Sequence, residues 1–307
     1  MLLSNLAGLF LLIGVGYGAG RSGLVPASAV GGLTSLLMQV ALPATVFTSM
    51  LRPFEVGFLT DVLLVVCISG GLFLLYAGLG RPLSRLFRVG EGRRGSWMLC
   101  VTFCNNCFMG FPVVYALFGE DGLALATVLN ISFNLLLYSM GVLQVSWDRG
   151  RAGAAEQQPW GKMLCTGVNL ALLLGFIFYL GQFSLPQVLD APLQQLSGIT
   201  APLSMMITGM SLADTPVSRL FQDRDVLSCV GTRLVLYPLA TWLLLTLVPP
   251  PDPLVRSVIL VVMAMPSSAV APAMAQRYGS CVALAARAVC LSSMLCVVTI
   301  PLFVLLL

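Results

Sequence analysis

Residues 102–119, TFCNNCFMGFPVVYALFG, interrupt a long apolar segment with groups that a membrane helix usually avoids. Asn105 and Asn106 place two amides inside it, and Gly110 and Pro112 follow within six residues. Proline removes a backbone donor and clashes with the preceding turn. In lipid, backbone groups freed in this way need partners from protein or from a water-filled cavity. The stretch therefore predicts either a broken helix that builds a binding site or a proline-kinked helix that only packs against its neighbours.

A second stretch, residues 264–279 with the sequence AMPSSAVAPAMAQRYG, favours the broken helix. When Pro112 is aligned with Pro272, 160 residues later, Gly119 falls on Gly279. Two interrupted apolar segments at corresponding places in the halves of a chain indicate a transporter binding site. Helix breaks are predicted at three prolines, Pro112, Pro266 and Pro272.

The composition is that of a polytopic membrane protein. The 307 residues are 58% hydrophobic and 9% charged, whereas a soluble domain carries roughly 25% charged residues. The first charge is Arg21, so the apolar N-terminus predicts a first span and no secretory signal peptide. Cys104 and Cys107 form a CxxC pair, but no second pair and no histidine accompany it, so neither a metal nor a cofactor is expected.

Hydropathy predicts an all-α chain of ten spans, since each span needs roughly 20 apolar residues. The spans are placed at 4–20, 31–51, 59–80, 96–117, 122–147, 162–183, 194–213, 226–248, 255–277 and 280–306. A polar linker, 148–160, separates a first half, 1–147, from a second half, 161–307. Leu42-Pro43 and Ala201-Pro202 match at an offset of 159 residues, close to that of the prolines. Because five is odd, the second half enters the membrane from the opposite side, which predicts a 5+5 inverted repeat.

Lys and Arg are unevenly distributed between the predicted loops. Twelve of the 16 lie on the side of the linker, and two, Arg52 and Arg256, lie on the other side. The positive-inside rule therefore predicts a multi-pass protein of the cell membrane, with the linker in the cytoplasm and both termini outside. Because topology explains the basic residues, the lipid bilayer is the expected partner, and no nucleic acid is.

The two interrupted stretches resemble a known family. The first carries the pattern N-x-x-F-x-G-x-P followed by F-G, formed by Asn105, Phe108, Gly110, Pro112, Phe118 and Gly119. It resembles the fourth span of the auxin efflux carrier family, which includes the plant PIN auxin exporters and bacterial permeases for malate or malonate. The second carries A-M-P followed by A-x-R-Y-G, formed by Ala264, Met265, Pro266, Ala275, Arg277, Tyr278 and Gly279, and is similar to the ninth span of bacterial members.

The resemblance implies the fold of the sodium/proton antiporters and the bile-acid symporters. Spans 1, 2, 6 and 7 would form a scaffold, and spans 3–5 and 8–10 a transport domain. The fourth and ninth spans would cross as broken helices at mid-membrane, and the scaffold spans would form a homodimer. Two departures are Val270, where bacterial members often have asparagine, and residues 62–80, which lack the acid and lysine of the plant exporters.

Polar groups near the two breaks are the candidate site. An amide such as that of Asn105 can hold a carboxylate or cap a broken helix end. Helix N-termini at the breaks would present N–H groups to an anion, which favours a carboxylate over a cation. The candidate substrate-binding residues are Asn105, Asn106, Gly110, Pro112, Asn130, Asn134, Pro266, Ser267, Ser268 and Arg287.

Arg233 and Arg287 are the two charges well inside predicted spans. Intramembrane ionisable residues are functional candidates, but each arginine is close enough to a span end for its side chain to snorkel. Snorkelling is favoured for Arg233, and both interpretations stay open for Arg287. No Asp or Glu lies in the interior of a predicted span, which argues against a proton or sodium antiporter.

These features predict a carrier of small organic anions, mono- or dicarboxylates with auxin-like acids included. It would work by alternating access, with an elevator-like motion. A sensor of the same fold that binds a ligand without transporting it is the alternative. An enzyme is not expected, because the chain has no histidine and no acid cluster at depth for acid–base chemistry.

Overall fold

The computed structural model describes residues 2–149, 166–213 and 220–307, and within these ranges the chain forms helices and no strand. The predicted linker 148–160 lies outside them apart from its first two residues. The helices before residue 94 are α1 (Leu2–Arg21), α2 (Ala27–Leu36), α3 (Leu42–Ser49) and α4 (Val56–Leu86). They are followed by α5 (Arg94–Thr102), α6 (Phe111–Leu136), α7 (Val142–Val145), α8 (Gly167–Gly181), α9 (Gln187–Gly198) and α10 (Thr200–Ala213). The last are α11 (Arg224–Gly231), α12 (Tyr237–Leu247), α13 (Pro253–Met263), α14 (Ala271–Tyr278) and α15 (Val282–Val304).

Several helices continue into one another through π-helical turns. Such turns occur at Leu37–Ala41, Asn106–Gly110, Leu137–Gly141 and Thr232–Leu236. π-turns widen a helix by one residue and are frequent at functional sites. The turn Thr232–Leu236 carries a buried arginine, Arg233.

Six helical stretches of the described chain are long and apolar enough to cross a membrane. They are Ala27–Ser49, Val56–Leu86, Asn106–Asp148, Gln187–Ala213, Arg224–Leu247 and Val282–Val304. Shorter apolar helices are Leu6–Arg21, Gly167–Gly181 and Pro253–Met263. The sequence predicts ten spans with the fourth and ninth broken, and these stretches do not confirm that number. The protein is therefore an all-helical, multi-pass membrane protein.

The chain divides into two compact units. The first comprises Met1–Val65, Cys107–Ile131 and Leu164–Thr215. Within it α1 and α10 pack very closely, because glycines line their contact: a Cβ added at Gly16 would lie 2.2 Å from the Met206 carbonyl oxygen. Small residues that let helix backbones approach are typical of association in lipid.

The second unit comprises Val66–Asn106, Ser132–Met163 and Pro216–Leu307. Its centre is α5, whose residues Gly95–Thr102 are all buried and which contacts α7, α11, α14 and α15. The rings of Tyr76 and Tyr237 stack with centroids 4.0 Å apart. Each hydroxyl donates to the other residue's carbonyl oxygen, at 2.8 Å from Tyr76 and 3.1 Å from Tyr237. This reciprocal pair fastens α4 to α12.

Candidate functional site

Two interrupted helices meet in the second unit through their backbones. After α5 the chain becomes extended at Phe103, and Cys104 forms an antiparallel bridge with Ser267. The N–H of Asn105 donates to the Pro266 carbonyl oxygen at 2.8 Å, and the N–H of Ser268 donates to the Phe103 carbonyl oxygen at 3.0 Å. Each broken segment thus supplies hydrogen-bond partners to backbone groups of the other that have no partner within their own helix. We call this arrangement, formed by 103–105 and 266–268, the crossing.

Not all of the helix breaks lie where the sequence predicts them. The first break is at 103–105, several residues before Pro112, which is the second residue of α6. Pro272 is the second residue of α14. At Pro272 the proline lies in the first helical turn, where its missing N–H would have no intrahelical partner. Pro112 instead lies inside a helical stretch that begins at Asn106, directly after the π-turn Asn106–Gly110. Only Pro266 lies within irregular backbone, between α13 and α14.

Predicted polar residues gather at the crossing and are buried. The exposed fractions are 6% for Asn105, 2% for Asn106, 0% for Ser267 and 4% for Ser268. The Ser267 N–H donates to the Ser292 Oγ at 3.1 Å. The Ser267 Oγ has no hydrogen-bond partner among the described residues. Buried hydroxyls normally have a hydrogen-bond partner, so the Ser267 hydroxyl is a candidate ligand-binding group.

Arg233 is not a snorkelling residue, and that prediction is wrong. Its side chain is fully buried, and the π-turn Thr232–Leu236 carries it. Its Nε donates to the Met265 carbonyl oxygen at 2.9 Å, and its Nη2 to that of Met263 at 2.7 Å. Its Nη1 donates to the carbonyl oxygens of Val101 and Thr102, at 3.2 and 3.3 Å. The guanidinium therefore joins the C-terminal ends of α5 and α13. Because these four carbonyls accept its hydrogen bonds, the side chain stays inside the protein and does not extend to the membrane surface.

Thr102 also connects the crossing to α7. The Gln144 side-chain nitrogen donates to the Thr102 Oγ1 at 3.1 Å and to the Ala77 carbonyl oxygen at 3.2 Å. The Gln144 Oε1 is buried and has no partner among the described residues. Sequence reasoning missed Gln144 and Ser292. The position of Gln144 in an apolar segment was the available signal, since buried polar groups must be satisfied.

Other candidates occupy different places. Gly110, Pro112 and Asn130 belong to the first unit, where Pro112 helps to line a cavity of about 90 Å³ and the Asn130 Oδ1 accepts from the Cys107 thiol at 3.5 Å. Asn134 belongs to the second unit. Cys104 is a free, buried thiol, and no group of His, Cys, Asp or Glu suited to a metal occurs among the described residues.

Arg287 takes part in an ion-pair cluster of the second unit. Its Nη1 lies 3.3 Å from the Asp223 Oδ2, and Arg93 binds both Asp223 at 2.5 Å and Asp225 at 2.7 Å. A cavity of about 440 Å³ adjoins these residues. Burial alone would raise the pKa of Asp223, but the hydrogen bond and charge of Arg93 and the backbone N–H groups of Val226 and Asp225 lower the pKa below its ordinary value of 3.8.

Comparisons with known proteins agree with a membrane carrier. Residues 1–304 match the family model described as "Membrane transport protein". A protein of Methanothermobacter thermautotrophicus, named an uncharacterized transporter, is 27% identical over 75% of this chain and 74% of its own length. An uncharacterized transporter of Methanocaldococcus jannaschii is 24% identical over 67% of each chain. Because the family model covers nearly the whole sequence, the chain belongs to the membrane transport protein family, which is the auxin efflux carrier family that its two motifs resemble.

Proposed function

We propose that this membrane transporter carries small organic anions and that the crossing is its substrate site. The observation that carries the proposal is the buried Ser267 Oγ, which lacks a partner among the described residues beside the buried amides of Asn105 and Asn106. Hydroxyl and amide groups both donate to a carboxylate. A substrate carboxylate would therefore supply the acceptor that this part of the protein omits.

The electrostatics of the broken helices support an anion. Helices begin at the π-turn Asn106–Gly110 and at Ala271, directly after the two breaks. A helix N-terminus carries roughly half a positive charge and unpaired N–H groups, which favour a carboxylate. The opposite, C-terminal ends at Thr102 and Met263 are already occupied by Arg233. The local field thus favours a negative group over a positive one.

Alternating access through an inverted repeat of ten spans is the proposed mechanism. Three pairs support it: Gly119 and Gly279 both have positive φ, 68° and 73°, 160 residues apart, and Tyr76 and Tyr237 bind each other reciprocally at an offset of 161. The third pair is the crossing, whose bonded Asn105 and Pro266 are also 161 residues apart. Residues related by a two-fold axis between the halves would pair in this way.

The remaining parts of the proposal concern organisation. Spans 1, 2, 6 and 7 act as a scaffold, and spans 3–5 and 8–10 move in an elevator-like manner. The scaffold forms a homodimer in the cell membrane, and both termini lie outside. The first compact unit groups the first, second, sixth and seventh predicted spans, which supports a common role for them, but it also contains residues 107–131 of the predicted fourth and fifth spans.

A ligand screen followed by a flux assay tests the substrate class. Mono- and dicarboxylates, with amines of similar size as controls, are added to the purified protein while its unfolding temperature is followed. Carboxylates that stabilise the protein are then tested for counterflow in proteoliposomes, where we expect saturable exchange. Stabilisation by carboxylates without exchange would favour a sensor, and stabilisation by amines alone would refute an anion site.

Variants locate the site. We expect Ser267→Ala to weaken the carboxylate-dependent stabilisation while leaving the ligand-free unfolding temperature nearly unchanged, because the hydroxyl has no internal partner to lose. Ser84→Ala is the matched control, since Ser84 is a buried serine of the same unit that donates to the Arg81 carbonyl oxygen at 2.8 Å. Equal ligand responses in both variants would move the substrate site away from the crossing.

A further inference from the structure

Arg233 brings a full positive charge to the place where two broken helices end. Its guanidinium bonds four carbonyl oxygens, those of Val101, Thr102, Met263 and Met265. The first two close α5, and the others lie at and just beyond the end of α13. The last carbonyls of a helix have no intrahelical partner. One side chain therefore satisfies the unpaired ends of both half-helices.

The charges at this point balance without any acidic residue. None of the ion pairs among the described residues includes Arg233. A helix C-terminus is equivalent to roughly half a negative charge, so that two of them together approach one. A guanidinium carries a single permanent positive charge and donates through a rigid fork. The two half-helix ends thus act as the counter-ion of Arg233.

Carriers with broken helices use the same kind of place for a different purpose. Unwound backbone carbonyls and half-helix C-termini are the groups that coordinate a mobile Na⁺ or a coupled proton in such folds. Here the carbonyls at the ends of α5 and α13 accept hydrogen bonds from Arg233, a side chain of the protein itself. No Asp or Glu lies near enough to form an ion pair with it in the described residues.

We infer that Arg233 is a fixed cation at the position where coupled carriers bind a mobile cation, so that the two broken segments of the crossing are held together without Na⁺. The inference rests on the proposed function in one respect, since it concerns ion coupling at the proposed substrate site. It makes Arg233 a positioning residue: the guanidinium holds the two half-helix ends together and leaves the N-terminal ends to the substrate. The negative charge of the substrate then crosses the membrane without a co-transported cation.

The first test uses the wild-type protein without substrate. Its unfolding temperature is measured in the chlorides of sodium, potassium and choline at about 0.15 M, near physiological ionic strength. We expect the three values to agree. A sodium site filled at about ten times its dissociation constant would raise the unfolding temperature by about 3–6 °C over choline. A sodium-specific rise of that size would overturn the inference.

The second test empties the position and refills it. Arg233→Ala removes the guanidinium, and we expect the variant to unfold many degrees below the wild type. Ethylguanidinium chloride at a few millimolar should restore part of that loss by binding the vacated carbonyls, whereas ethylammonium, which lacks the fork, should restore less. Arg85→Ala is the control, because Arg85 is an exposed arginine of α4 in the same unit, and neither cation should change its unfolding temperature.

The outcomes are separable from those of the substrate screen, because neither test uses a carboxylate. A stable Arg233→Ala variant whose unfolding temperature does not change with ethylguanidinium would refute the role of Arg233 without contradicting the anion site. If Arg233→Ala fails to fold, Arg233→Lys provides the comparison: a point charge without the fork should give an intermediate unfolding temperature. A lysine variant as stable as the wild type, in sodium and in choline alike, would also overturn the requirement for a guanidinium.

Discussion

Asn105 stands where α5 has ended and the backbone is extended, and its side chain is almost fully buried. An amide in this position can stabilise the break or bind the substrate, and the two roles differ in measurable energy. A capping role is worth about 1 kcal/mol of stability. A hydrogen bond to a charged group is worth about 1.5–3 kcal/mol, which corresponds to roughly a tenfold to hundredfold change in affinity.

We predict that Asn105→Ala reduces carboxylate affinity and uptake far more than it reduces stability. Unfolding temperature and affinity are to be measured on the same purified variant. Asn169→Ala, in α8 of the first unit, serves as the matched loss of an amide. A clear fall in unfolding temperature with unchanged affinity would show that Asn105 is structural, and the site would then centre on Ser267 and Ser268.

Asp223 and Arg93 form the ion pair with the clearest dependence on pH. The pKa of Asp223 is lowered in the folded protein, so its charge stabilises the fold above the ordinary value of 3.8, and this contribution is lost as the pH falls below it. Asp223→Asn keeps a side chain that can still cap α11 but removes the charge. The free energy of unfolding of the wild type should therefore exceed that of the variant by roughly 1 kcal/mol or less near pH 7, because the pair is partly exposed.

The difference between wild type and Asp223→Asn should begin to shrink below about pH 4, the ordinary range of a carboxyl group, and should be lost as the pH falls through the lowered pKa of Asp223. Unfolding temperatures recorded from pH 7 to pH 3 measure it. Asp121→Asn is the control, because the Asp121 side chain is 65% exposed and its pair with Arg52 should add little at any pH. A difference for Asp223→Asn that stays constant with pH would show that the ion pair adds no stability.

The residues of the crossing were only partly predictable. Asn105, Pro266, Ser267 and Ser268 are found together because polar groups and proline in apolar segments mark a break. The burial of Arg233 could not be predicted, because its distance from a span end is visible in the sequence but its four acceptors are not. Those carbonyls come from two segments, one more than 130 residues before it and one 30 residues after it.

At the scale of elements, the stretches that would be broken were identified, but the position of the first break was not. Local sequence points to Pro112, where the backbone is helical. The break falls at 103–105 because the extended backbone there finds hydrogen-bond partners at Pro266 and Ser268, which no local pattern encodes. In a membrane, the position of irregular backbone follows its partners.

The contact between α1 and α10 allows a test at the same scale. A Cβ at Gly209 would lie 2.0 Å from the Ile13 carbonyl oxygen, whereas a Cβ at Gly18 of α1 meets nothing within 4 Å. We predict that Gly209→Ala separates the helices and costs about 1–3 kcal/mol or more, as overpacking does. Gly18→Ala should be neutral or slightly stabilising, since alanine favours a helix by about 1 kcal/mol.

Thermal unfolding of the two glycine variants in detergent and in lipid nanodiscs decides between steric and intrinsic effects. Equal unfolding temperatures for Gly209→Ala and Gly18→Ala would mean that the close approach of α1 and α10 is not maintained in the membrane. A loss confined to Gly209→Ala would confirm that this pair of helices depends on the absence of a side chain.

At the scale of the whole molecule, helical class and membrane location followed directly from composition, because 58% hydrophobic and 9% charged residues admit little else. The number of spans did not follow so simply. A window of hydropathy cannot distinguish a continuous helix from two half-helices separated by extended backbone. Gly119 is an example, since its φ of 68° and ψ of −154° are not helical and α6 consists of two helices that meet there at a kink.

Orientation in the membrane remains a prediction, based on the excess of Lys and Arg on one side. A single cysteine placed by Ala154→Cys, in a cysteine-free background, should react with an impermeant maleimide only after cells are opened. A cysteine at the chain terminus should react in intact cells. Labelling of residue 154 from outside would invert the assignment of both termini.

The bonds of Arg233 also set an order for biosynthesis. When α11 and α12 leave the ribosome, α13 has not been made, so the guanidinium can reach only the carbonyls of Val101 and Thr102. An arginine inside a span opposes insertion by the translocon, by up to about 2.5–3.5 kcal/mol when it lies at the span centre. The unwound end of α5 would then receive the nascent arginine before the later half-helix exists. A chain stopped at residue 250 should insert its last span efficiently only when residues 94–105 precede it. Once α13 is made, its carbonyls would complete the set of acceptors around a guanidinium that α5 already binds.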